Sequence, residues 1–201
     1  FGLINLYLKD ETKNPTSSFK DRPMTVGVSK AVELGYDTVV SASSGNAAAA
    51  LAAYSARAGL ACYAFVPEMA SPGKIAQLKM FGASVVRLRG LESGVDPTVT
   101  MLKLVCKQFG WYPCPSMGPF NPYQAEGPKT MSYEIVEQLG WTTPDWILAG
   151  VGGGGLLAGN WKGYQELEQL SLAEGYPRMV AVQSTGCAPL VRAFEETMDP
   201  N

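Results

Sequence analysis

Asn14-Pro15-Thr16-Ser17-Ser18-Phe19-Lys20-Asp21-Arg22 sets a single lysine in a short polar segment just ahead of a helix-like run. The chain has no histidine among its 201 residues, so the most common general acid–base is absent. A lysine does that work when its amine is held as an imine to a carbonyl cofactor. The imine changes its proton chemistry, and substrate then displaces it as a free amine.

Outward from this stretch, strand-like and helix-like segments alternate. Leu6-Tyr7-Leu8-Lys9 reads as a short strand, and a helix is expected over 17–34, ended by Gly35. An apolar β-branched strand at 38–41 leads through the polar Ser43-Ser44-Gly45-Asn46 into an alanine-rich helix over 47–58, closed by Gly59. Ser71 and Pro72 suit the cap and first position of a helix over 71–81. Further strands are expected at 61–66, 85–88, 111–113, 146–149 and 179–183, with helices at 97–109, 127–139, 156–170 and 188–196. This βαβα rhythm predicts an α/β fold of parallel sheets with helices on both faces.

Composition narrows the function classes. With 46% hydrophobic and 17% charged residues the chain supports one sizeable core or two small ones. A net charge of −2 with scattered basic residues argues against nucleic acid or an anionic membrane as partner. No apolar stretch approaches a membrane span, and no secretory h-region opens the sequence. Cys62, Cys106, Cys114 and Cys187 lie far apart with no C-x-x-C pair, which excludes a zinc site and points to reduced thiols in a cytoplasmic protein. The chain starts at Phe1-Gly2-Leu3 and stops at Asp199-Pro200-Asn201 just after a helix-like run, so it is expected to be an internal piece of a longer protein.

Gly150-Val151-Gly152-Gly153-Gly154-Gly155 lies between a strand and a helix. A tight turn would need one glycine; five in six positions favour a phosphate cradle built from backbone N–H groups and a helix N-terminus. The spacing satisfies G-x-G-x-x-G, but the next strand ends in Gln183-Ser184 rather than an acidic residue, and no lysine followed by Ser/Thr makes a nucleotide P-loop. A small phosphorylated cofactor fits better than a nucleotide. Ser43-Ser44-Gly45-Asn46 suits a carboxylate or a ring oxygen, and helix capping by Ser44 or Asn46 accounts for it equally well. Read singly, Lys20 is a surface lysine, Asp21 and Arg22 a solvated helix start, and Glu126-Gly127-Pro128-Lys129-Thr130 a turn into a helix.

Together these segments occur in the order of one family. The chain resembles the fold-type II (tryptophan synthase β-like) pyridoxal-phosphate enzymes, and within them the threonine synthases. The resemblance covers almost the whole sequence and includes Ser29-Lys30-Ala31-Val32-Glu33, Ala56-Arg57-Ala58-Gly59 and Gly73-Lys74-Ile75-Ala76-Gln77. It implies two parallel-sheet, three-layer α/β/α domains, incomplete at both ends: a larger cofactor domain from 1–36 plus 121–201, and a smaller mobile domain from 37–120.

The resemblance further implies that Lys20, beside Phe19, forms the internal aldimine with pyridoxal 5'-phosphate. Asn46 would hydrogen-bond the cofactor's ring hydroxyl. Gly152, Gly153, Gly154, Gly155 and Leu156 would hold its phosphate, and Ser43, Ser44, Gly45, Asn46 and Ala47 would receive the substrate carboxylate. The implied activity is that of a lyase on a small amino acid, O-phosphohomoserine and water giving threonine and phosphate, in a homodimer of the intact protein. A serine/threonine dehydratase-type ammonia-lyase and a non-catalytic, truncated module are the alternatives. Two departures stand out. The 152–155 loop is all glycine where threonine synthases often carry an asparagine. Asn121-Pro122-Tyr123-Gln124-Ala125 has no basic residue where members tend to place one for the substrate's phosphate; Lys74 and Lys129 are candidate replacements.

Overall fold

Val39 and Val40 are adjacent in sequence and both fully buried, in two separate clusters of the core. Successive strand residues point to opposite faces, so a strand apolar at both must be covered on both. In the computed structural model, which describes residues 2–90 and 94–198, this strand is β1 (Thr38–Ser41). It pairs in parallel with β2 (Ala61–Pro67) on one side and β4 (Tyr112–Pro113) on the other, and β2 pairs in parallel with β3 (Ser84–Leu88). Helices α1 (Asp21–Glu33), α2 (Asn46–Ala58) and α3 (Pro72–Met80) bring Met24, Val28, Leu51 and Leu78 to the Val39 side. Helix α4 (Pro97–Phe109) brings Leu102 and Val105 to Val40 and Phe65. The expected three layers are present around this sheet. Each such side chain contributes about 1.5–3 kcal/mol by leaving water.

The chain divides between Gly127 and Pro128 into two compact units. The second contains most of α5 (Glu126–Gln138), α6 (Gly155–Gln169), α7 (Pro189–Met198) and a parallel pair, β5 (Trp146–Gly150) with β6 (Arg178–Val182). Val136, Tyr164 and Leu167 form its core with Ile147 packed against them, while Trp146, Leu148 and Val182 stay exposed.

Three readings need correction. Leu6-Tyr7-Leu8-Lys9 forms no strand; Leu6, Tyr7 and Leu8 are exposed and find no partner strand among the described residues. Helix α1 begins at Asp21, not at 17, because Ser17 is left-handed (φ 60°) and Thr16 is tied to the Asp21 carboxylate. Asp21 and Arg22 are not a solvated helix start, since Asp21 is 2% exposed and Arg22 is locked to Glu11. Phe1 and residues 199–201, on which the reading of cut ends rests, lie outside the described residues. No described helix is long and apolar enough to cross a membrane.

In the second unit Lys129 and Lys162 each approach the Glu166 carboxylate to 3.0 Å, and the Tyr133 hydroxyl donates to it. Burial opposes ionisation of Glu166, but hydrogen bonds from Tyr133, Lys162 and Lys129 outweigh it and hold the pKa down to about 2. A depressed carboxylate stabilises the fold fully above its unfolded value near 4.5, and that contribution disappears as pH falls through about 2. In thermal melts of the full-length protein, the Tm gap between the native form and Glu166→Gln should therefore narrow across this window. A gap independent of pH would refute the assignment.

Candidate active site

The strand order β3-β2-β1-β4 means that the chain builds outward from β1 and then returns to its other side. The reversal falls between β1 and β4, where the connections that follow the two strands part beyond their C-terminal ends, the usual ligand position in open parallel sheets. Two segments leave that edge. One is the loop from β1 into α2. The other follows β4, whose Pro113 stands opposite Val40, with the Cys114 N–H donating to the Val40 carbonyl at 2.8 Å.

Lys20 reaches this edge. Its Nζ donates to Ser116 Oγ at 2.7 Å and lies 4.7 Å from the centroid of the Phe19 ring. The side chain is half-buried, and that burial lowers the amine's pKa from its usual 10.5. No carboxylate pairs with it among the described residues. A lysine that has lost hydration without gaining a counter-charge becomes neutral more readily, the state required of a nucleophile or base.

The neighbours of Lys20 are occupied in holding it. The Asp21 carboxylate accepts the Thr16 N–H (3.0 Å) and hydroxyl (2.9 Å). Arg22 grips Glu11 through Nε (2.6 Å) and Nη2 (2.7 Å), and the Asn14 amide donates to the Glu11 carboxylate and carbonyl, both at 2.9 Å. From Glu126-Gly127-Pro128-Lys129-Thr130, Gly127 lies so close to the Arg22–Pro23 backbone that a Cβ would overlap the Arg22 carbonyl.

In the loop after β1, the Ser43 hydroxyl accepts the Gly45 N–H at 3.2 Å. Gly45 is the N-cap of α2 and no side chain caps the helix, so the capping account of Ser44 and Asn46 is not what the structure adopts. Asn46 is exposed and Ser44 half-buried, neither with a hydrogen-bond partner among the described residues. The first intrahelical bond runs from the Ala49 N–H to the Gly45 carbonyl (3.1 Å), which leaves the N–H groups of Asn46, Ala47 and Ala48 ahead of it without an intrahelical acceptor.

The glycine loop belongs to the second unit. Gly154 needs to be glycine, with φ at 83°, but a Cβ on Gly152, Gly153 or Gly155 would meet nothing within 4 Å. Packing therefore does not explain those three, unlike Gly163, where a Cβ would overlap the Lys129 carbonyl and Ser132. Open space above N–H groups at the start of α6 fits a phosphate: the first intrahelical bond is from Ala158 to Gly154 (3.0 Å), so Gly155, Leu156 and Leu157 have no intrahelical acceptor.

Two polar residues complete the Lys20 surroundings: Gln124, noted in the sequence only as a non-basic position, and Ser116, which nothing in the sequence singles out. Ser116 is left-handed (φ 59°), and its N–H donates to Gln124 Oε1 at 3.1 Å. Pro115-Ser116-Met117-Gly118 reads as an ordinary turn, and backbone handedness at a serine leaves no mark in composition. Among the described residues no group of three or more Cys, Asp or Glu is placed to hold a metal.

Residues 2–200 match the family described as "Pyridoxal-phosphate dependent enzyme". The chain is 42% identical over 196 residues to the threonine synthase of Methanocaldococcus jannaschii, covering 97% of this chain and 47% of that protein. It is 37% identical over 190 residues to the threonine synthase of Synechocystis, covering 94% of this chain and 48% of the other. The chain thus spans about half the length of the curated relatives it matches. Among solved structures, the serine racemase of Dictyostelium discoideum superposes with a TM-score of 0.78 at 26% identity, over 94% of this chain and 57% of that one.

The two kinds of glycine predict opposite outcomes. Gly153→Ala should change stability by no more than about 0.5 kcal/mol, whereas Gly163→Ala should cost roughly 1–3 kcal/mol through overpacking. Denaturant midpoints of the full-length variants check this; equal losses would remove the argument that the loop is kept open for a ligand.

Proposed function

The chain belongs to the pyridoxal-phosphate dependent enzymes, and from that premise we propose that the intact protein is a lyase of the threonine synthase type, converting O-phosphohomoserine and water to threonine and phosphate. The observation that carries this reading is the half-buried Lys20 amine, unpaired with any carboxylate among the described residues and set at the reversal of strand order. Pyridoxal phosphate, the cofactor of the family, supplies when bound an aldehyde for a lysine amine and a ring that delocalises charge from a substrate's Cα.

In this proposal Lys20 binds the aldehyde, and once freed its amine removes and returns the Cα proton. Its lowered pKa supports that use, because a base is effective only when unprotonated. Asn46 directs its uncommitted amide to the ring hydroxyl. Ser44, with the N–H groups of Asn46 and Ala47, takes the substrate carboxylate; the Ser43 hydroxyl, bonded to the Gly45 N–H, keeps the loop's shape. Gly152, Gly153, Gly154, Gly155 and Leu156 hold the phosphate, favoured by the open space there and by the positive end of α6. Residues 37–120 act as the smaller mobile domain and 1–36 with 121–201 as part of the larger, with closure excluding water from the reacting carbon. A homodimer in the cytoplasm completes the proposal. The four free cysteines support a reducing compartment, and the exposed Trp146, Leu148 and Val182 support further covering surface in the intact protein.

One observation favours a second reading, elimination from serine or threonine to a keto acid. A substrate phosphate would call for a cation, and Gln124 of the 121–125 segment is a neutral amide that is buried and bonded to the protein itself.

Lys20→Ala in the full-length protein should abolish the visible absorbance of bound cofactor and lower phosphate release from O-phosphohomoserine by at least about 10²- to 10⁴-fold. Unchanged absorbance would sink the role of Lys20. Keto-acid formation from serine or threonine, without phosphate release from O-phosphohomoserine, would select the second reading.

A further inference from the structure

Gln124 and Ser116 form a closed circuit with the helix that carries Lys20. Gln124 lies in the 3-10 turn Pro122–Ala125, is 4% exposed, and uses both ends of its carboxamide. Oε1 accepts the Ser116 N–H at 3.1 Å, and Nε2 donates to Met24 Sδ at 3.1 Å. Met24 sits one turn into α1, its N–H bonded to the Lys20 carbonyl at 3.2 Å, and the Ser116 hydroxyl takes the Lys20 amine at 2.7 Å. The path therefore returns to the residue it began from.

Space for it is made at Gly27. A Cβ there would stand 3.1 Å from Gln124 Nε2 and 3.2 Å from Cys114 Sγ. A thioether is a weak acceptor, so the Ser116 N–H sets the orientation of the amide. Arginine or lysine at 124 would offer only donors to that N–H and would bury a cation without a partner.

We propose that Gln124 is a positioning residue for the Lys20 amine: it holds Ser116 in its left-handed conformation, and Ser116 in turn supplies the hydroxyl on which the amine rests. The inference depends on the proposed use of Lys20 as the reactive amine. A hydroxyl that accepts from the ammonium form favours that form, so loss of the Ser116 hydroxyl should make the Lys20 amine easier to deprotonate. Other charges nearby are engaged elsewhere. Asp21 is bound by Thr16, Arg22 by Glu11, and Tyr54 of α2 reaches Thr25 and Asp21. In the segment after β4, the buried Cys114 thiol is pushed up to about 12 by desolvation and so neutral.

The test uses full-length protein freed of cofactor, with the Lys20 amine titrated by NMR after ¹³C reductive methylation and its signal assigned by its loss in Lys20→Arg. Ser116→Ala should lower the titration midpoint by about one pH unit, the worth of one hydrogen bond to a charged group. Gln124→Leu should move it in the same direction, and the double variant should add little to either single change. Gln124→Glu, which keeps an acceptor for the Ser116 N–H, should not lower it; a fall there overturns the proposal even if Gln124→Leu does not fold. A native midpoint in Ser116→Ala, or in a folded Gln124→Leu, overturns it as well. Because no cofactor is present, failure here is distinct from failure of the cofactor assignment, which is read from absorbance in Lys20→Ala.

Discussion

A carboxylate removed from water is tolerable only when its lone pairs are used, and Asp21 uses both oxygens on Thr16. To bring the Thr16 N–H and hydroxyl to a carboxylate five residues on, the chain must reverse within four residues, and Ser17 does so in the left-handed region. That reversal decides where α1 starts, and hence where Lys20 leaves the backbone. The pair of Arg22 with Glu11, itself bonded by Asn14, closes the segment from the other side. These polar neighbours of Lys20 are committed to scaffolding, whereas the lysine amine has no carboxylate partner among the described residues and rests on the Ser116 hydroxyl.

Sheet order supplies the rest of that position. With β1 central and β4 added on its far side, two connections diverge at one edge, the first bringing N–H groups without an intrahelical acceptor at the start of α2 and the second the Ser116 hydroxyl. Glycines divide by the same logic. Gly127 and Gly163 permit close approach of backbone, so their absent Cβ atoms are explained by the protein itself. Gly152, Gly153 and Gly155 are explained by nothing in contact with them, which is the condition expected of a surface shaped for something else.

Most of the fold was legible because its signals are local. β1 falls on the β-branched run at 38–41 and α4 on the helix expected at 97–109, and the alternation of short apolar strands with helices specifies a parallel sheet. The first strand was misread because Leu6-Tyr7-Leu8 has strand propensity, but propensity needs a partner edge to act on. The start of α1 was misread because the Thr16–Asp21 bonds compete with the first helical turn, a tertiary preference for which Ser17-Ser18 gives no sign. Within the candidate site, Lys20 and Asn46 stand out in sequence because each sits at the start of a helix that follows a polar segment. Ser116 does not, since its contribution depends on a contact 96 residues away from Lys20.

The same buried Gln124 constrains how a phosphorylated substrate would be met. A dianion needs a cation, and position 124 offers a neutral amide already turned inward. Of the two lysines that stand as replacements, Lys129 is held by Glu166, whose carboxylate also engages Lys162 and Tyr133. Lys74 differs. It is exposed in the first turn of α3, without a carboxylate partner among the described residues, and α3 begins after the C-terminal end of β2, on the same edge of the sheet as the loop into α2. Its charge and the helix N-terminus both favour an anion at that edge. Lys74 thus keeps an ammonium with no carboxylate beside it among the described residues, while the carboxamide of Gln124 is spent on Ser116 and Met24.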